Sequence, residues 1–158
     1  MIEVEITPSM LEQAQIKSLE MGKLYNSITA GEGNLAGFVG EQIAFSILGG
    51  EWLNSYDYDL ILQDGTLVDV KTKRTSVEPL PKYDCSVAAY NTKQKCDAYA
   101  FVRVHNSMSK GWYLGIISRD KYFEDADYMK KGSIDSSNGF RVKATCYNLK
   151  INQLKDRL

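Results

Sequence analysis

At 158 residues, 44% of them hydrophobic and 25% charged, the chain has the length and apolar content of one domain, residues 1–158, built on one substantial core. A net charge of −1 with a pI near 5.9 argues against a uniformly basic nucleic-acid coat, and three cysteines without a C-x-x-C pair argue against a disulfide framework or a structural zinc site. No apolar run reaches the length that spans a bilayer and the start, MIEVEITPSM, lacks a signal-peptide pattern, so an intracellular, cytoplasmic protein is expected.

Thr7-Pro8 opens a predicted first helix: Thr can cap, and Pro suits the first helical position, where its missing N–H has no partner to lose. Met10, Leu11, Ala14, Leu19 and Leu24 carry the pattern to about Tyr25. The stretch ITAGEGNLAG interrupts it without either common phosphate-loop spacing, so it reads as a flexible connection. Asn34 is a candidate cap for a second helix, residues 35–48, which Gly49-Gly50 ends. Leu35, Phe38, Val39, Gln42, Ile43, Ser46 and Ile47 form its core stripe, and Glu41 falls off it.

Strands are predicted at 51–54, 58–62, 66–74, 98–105 and 111–117, with Asp64-Gly65 joining the second and third as an antiparallel hairpin. SVEPLPKYD reads as a loop. Ser118 caps a predicted helix over 119–129, KKGSIDSSNG is a turn region, and a strand at 142–147 precedes a short terminal helix. The element order predicts a mixed α+β or α/β fold with one central mixed sheet flanked by helices. His105, with no second histidine nearby, reads as a structural residue.

Charge is unevenly distributed: residues 1–64 sum to −8, 65–118 to +4 and 119–158 to +3, so a polyanion would prefer the later two thirds. Within DGTLVDVKTKR, Leu67, Asp69, Lys71 and Lys73 share one strand face and Val68, Val70 and Thr72 the other. Asp59 enters the apolar run Leu60-Ile61-Leu62, where an unpaired charge is expensive, and the hairpin places its strand next to that of Asp69; the sequence does not fix their pairing, but the two carboxylates can meet on one face. Asp57 shares its strand face and is the rival. Two such carboxylates repel unless they share a cation. A hard ion such as Mg²⁺, or Mn²⁺ in its place, suits Asp59, Asp69 and the Val70 carbonyl, with Lys71 in reach of a bound water or phosphate oxygen.

A helix holding Gly40-Glu41, then Asp59 leading an apolar strand, then Asp69-Val70-Lys71 on the next resembles the PD-(D/E)XK nuclease superfamily, over about residues 37–74. The resemblance implies a restriction-endonuclease-like core and a Mg²⁺-dependent nuclease acting on DNA. It makes Asp59 and Asp69 the central metal ligands, Lys71 the catalytic lysine and Glu41 the helix acid completing the site. Tyr58 stands where the motif's proline is usual, and Asp69 where glutamate is commoner.

Lys73, Arg74, Lys82, Lys93 and Lys95 follow the motif against Glu78 and Asp84, which suits phosphate contacts. Tyr83 and Tyr90 are interleaved and suited to stacking on unpaired bases. Gln94 is a candidate accessory group, with an exposed loop residue as its plainer reading. The expected activity is phosphodiester hydrolysis in DNA repair, recombination or structure-selective cleavage, in a phage or bacterial setting. A homodimer would bring two sites to two strands. The alternative is a non-catalytic nucleic-acid-binding or assembly module that keeps the fold.

Overall fold

A computed structural model describes residues 1–22, 32–53, 55, 57–89, 93–136 and 139–158. Its elements are β1 (Ile2–Glu5), α1 (Pro8–Gly22), α2 (Glu32–Leu48), β2 (Glu51–Trp52), β3 (Leu60–Ile61), β4 (Leu67–Thr75), β5 (Asp84–Ala88), β6 (Ala98–His105), β7 (Lys110–Ser118), α3 (Arg119–Asp125), β8 (Asp127–Met129) and β9 (Cys146–Lys150), followed by a 3₁₀ turn, Ile151–Gln153. A six-stranded sheet runs β1-β7-β6-β4-β3-β2, and β5-β9-β8 form a second sheet. The β4–β6 pair is parallel and every other pairing antiparallel. The fold is mixed α/β, as the element order implies.

β6 is buried along nearly all of its length, and its two faces differ in size. Ala98, Ala100, Val102 and Val104 join Phe38, Val39 and Ile43 of α2 in one core. Tyr99 and Phe101 face the other way into a second core with Cys85, Val87, Tyr122 and Leu149. Small side chains on one face let α2 lie close to the sheet, and large aromatics fill the gap to the second sheet. At Gly40 the approach is closest: a Cβ there would overlap Thr72 of β4.

Several expectations need correction. The central mixed sheet is present, but a second sheet joins it, because DCSVA, expected to begin in the loop, pairs with β9 by alternating buried Cys85 and Val87 against exposed or half-buried neighbours. Ile2–Glu5, whose I-E-V-E alternation is a strand pattern, forms the edge strand β1 on β7. α3 stops at Asp125, and Asp127–Met129 pair with β9, so tertiary pairing overrides the local helical pattern. The last strand begins at Cys146 and not at 142, because the second sheet sets its register. α2 starts at Glu32, which places Asn34 inside the helix. Leu19 is 70% exposed and outside the core. Leu24, Tyr25, residues 28–31 of the glycine stretch and Tyr90 lie outside the described residues.

The three cysteines are free. His105 is hydrogen-bonded by both ring nitrogens, to Ser107 Oγ at 2.6 Å and the Ser76 carbonyl at 3.3 Å. Among the described residues no helix is long and apolar enough to cross a membrane.

Candidate active site

The β3–β4 hairpin closes on three residues, Gln63 to Gly65. Leu62 N donates to the Thr66 carbonyl at 2.9 Å, and Gly65 adopts φ 86°. A left-handed residue ending such a loop favours glycine. Asp64 Oδ1 accepts from Thr66 N at 2.9 Å, which stabilises the turn. The resulting register pairs Leu60 with Val68 and Ile61 with Leu67.

At the other end of the hairpin, Asp59 N also donates to the Val68 carbonyl, at 2.9 Å. Asp59 and Leu60 thus face one residue of β4, the arrangement of a β-bulge, which re-aims a side chain. Asp59 Oδ2 accepts a 2.7 Å hydrogen bond from Val70 N. A strand residue turns its N–H and C=O towards the same neighbour, so the Val70 carbonyl also faces this edge.

Glu41 and Asp69 are buried, 8% and 4% exposed, and Asp59 keeps a partial opening to solvent. Burial pushes the Asp59 carboxyl up to about 8, and the charges of Glu41 and Asp69 add to the rise. Burial likewise raises Glu41 to about 7, against a 2.8 Å hydrogen bond donated by Trp52 Nε1 and the nearby Lys17 charge. Asp69 is also raised by burial, opposed by Lys71, with which it forms an ion pair, and by a hydrogen bond with Asp59. These acids are more numerous than their local counter-charges.

Lys71 Nζ also donates to Gln94 Oε1 at 2.9 Å, so Gln94 helps orient the lysine and is more than an exposed loop residue. Asp57 points elsewhere: its Oδ1 accepts from Lys95 N at 3.1 Å. The structure therefore brings Glu41, Asp59, Asp69, Val70 and Lys71 together and leaves Asp57 outside.

No family model matches the chain, and no curated protein matches it. The resemblance rests on the residues themselves.

Hard oxygen donors, crowded and raised in pKa, suit a divalent cation. Asp69 Oδ2 is buried with no directed hydrogen-bond donor, its partner being the Lys71 charge. The donors are of the oxygen type that Mg²⁺ takes, but among the described residues no three acidic, imidazole or thiol groups stand close enough to chelate one ion.

Two residues at the site had no signal in the pattern. Lys17 of α1 lies 3.4 Å above the Trp52 ring, and the charges of Glu41 and Asp59 both act on it. Only packing of α1 beside α2 brings it there. Of the basic residues following the motif, Lys73 and Lys82 line one groove, and Arg74 borders a hollow with Lys71. Lys93 and Lys95 are exposed on either side of Gln94.

Proposed function

We propose that the protein is a Mg²⁺-dependent nuclease that hydrolyses phosphodiester bonds in DNA, in repair, recombination or structure-selective cleavage. The observation that carries this reading is the mutual electrostatic influence of three carboxyls, Glu41 of α2, Asp59 just before β3 and Asp69 of β4, beside a lysine that is ion-paired to one of them. Asp59 and Asp69, with the Val70 carbonyl and Glu41, would hold the ion. Bound Mg²⁺ would supply an acidified water and offset charge developing on the phosphate.

The chain's own residues have distinct parts in this reading. Lys71, held by Asp69 and Gln94, orients the attacking water and contacts a phosphate oxygen. Trp52 holds one oxygen of Glu41 by donating to it. Lys17 adds a second positive charge on the α1 side.

The non-catalytic nucleic-acid-binding module stays as the second reading, because no chelating triad is already assembled among the described residues. Labelled linear, single-stranded, branched and circular DNAs incubated with Mg²⁺, Mn²⁺ or EDTA separate the two. Metal-dependent cutting that Lys71→Ala abolishes supports the nuclease. DNA binding without cutting of any substrate supports the module and overturns the nuclease.

A further inference from the structure

Lys73 and Arg103 are direct partners in the parallel β4–β6 ladder, on the face turned to the second sheet. Like charges side by side on a sheet oppose folding. Arg103 is 7% exposed, donates from Nη2 to the Asp84 carbonyl at 2.9 Å, and lies 5.6 Å from the Tyr83 ring centroid. The carboxylate that would neutralise the pair, Asp84, is bound by Lys150 at 2.6 Å. Three cations thus share one carboxylate, and burial together with the Arg103 charge lowers the pKa of Lys73. A polyanion would relieve this repulsion.

The pair sits in the wall of a groove of about 840 Å³ that also takes in Lys82, Tyr83, Phe140 and Lys143. Five cationic side chains line it against two aspartates. Phe140 is 54% exposed, an aromatic surface set among lysines. An adjoining hollow of about 230 Å³ shares Lys73, Asp84, Ser86 and Arg103 with the groove and extends to Lys71. One continuous surface therefore joins the basic groove to the catalytic lysine of the proposed reaction.

Lysines interleaved with ring faces suit unpaired nucleic acid, whose phosphates and exposed bases can be held together. A duplex hides its base faces and leaves the rings without a role. We infer that this groove binds a single nucleic-acid strand, with phosphates on Lys73, Lys82 and Lys143 and bases against Tyr83 and Phe140, and leads it to Lys71. The direction of travel towards Lys71 rests on the nuclease reading; the strand binding stands apart from it.

The test is fluorescence anisotropy of a labelled oligothymidine and a labelled blunt duplex in EDTA, where nothing is cut. The oligothymidine binds more tightly than the duplex. Phe140→Ala weakens single-strand binding about fivefold or more and leaves duplex binding unchanged. Lys73→Gln and Lys143→Gln each lower the salt slope by about 0.7. Equal affinity for both DNAs, or variants that bind single strands as the parent does, overturns the groove. Cleavage assays on the same proteins separate the two proposals. Cutting by a protein whose groove variants bind normally removes the groove and keeps the nuclease, whereas groove-dependent binding without cutting keeps the groove and removes the nuclease.

Discussion

Trp52 Nε1 donates a 2.8 Å hydrogen bond to Glu41 Oε2, and the Lys17 ammonium lies 3.4 Å above the same indole ring. One side chain thus steadies both an acid from α2 and a base from α1. Trp52→Phe keeps the ring face and deletes the donor. The Glu41 pKa should then rise above about 7, by roughly one unit, since a hydrogen bond to a charged group contributes about 1.5–3 kcal/mol. Carboxyl-detected NMR titration measures this; an unchanged Glu41 titration refutes it.

The acid cluster sets a pH dependence of stability. Glu41 and Asp59 titrate near 4.5 and 3.8 without the fold's influence, and in the folded protein at about 7 and about 8. The folded chain therefore holds protons that the unfolded chain has released, so the contribution of these groups is full below about pH 4 and is lost as pH rises through about 8. Asp59→Asn keeps an acceptor for Val70 N and removes the charge. It should stabilise the metal-free protein at pH 8 by on the order of 2 kcal/mol and have little effect in acid. Thermal melts across this range decide it, and a variant less stable at pH 8 contradicts it.

Divalent cations should reverse that instability. Mg²⁺ or Mn²⁺ at about 100 times its dissociation constant would stabilise by about 2.7 kcal/mol, and binding would release protons. Asp69→Asn should abolish the shift in melting temperature, and Asp57→Asn should leave it intact. An equal loss in both variants would reopen the choice between Asp57 and Asp59.

Lys71 and Gln94 should separate kinetically. In the proposed reaction Lys71 contacts the phosphate, so Lys71→Ala should abolish cleavage with the fold retained. Gln94→Ala removes a positioning contact and should lower kcat about tenfold with KM unchanged. A Gln94→Ala enzyme with parental kcat rules out that role.

Gly40 tests how closely α2 must approach β4. A Cβ at this position would overlap Thr72 Oγ1. Gly40→Ala should cost about 1–3 kcal/mol by overpacking, and adding Thr72→Ala should recover most of it. A strictly additive double variant in urea melts would show the two positions uncoupled.

Much of this architecture was readable from local pattern. α2, the β3–β4 hairpin, the buried run of β6 and the order Glu41, Asp59, Asp69, Lys71 all follow from short-range periodicity and turn chemistry. The mixed fold class follows from the alternation of those elements. Tertiary packing decided the rest. The bulge at Asp59 depends on where β4 lies, the hydrogen bond that Asp59 accepts on a backbone amide eleven residues away, and the approach of Lys17 and Trp52 to Glu41 on how α1 and β2 settle around α2. The second sheet was invisible because β5 and β9 are short and their first residues, Asp84 and Cys146, lie 62 positions apart in the chain. Their register is set by partners that local sequence does not specify. Chain pattern names the side chains capable of the chemistry; only close packing brings their charges within reach of one another.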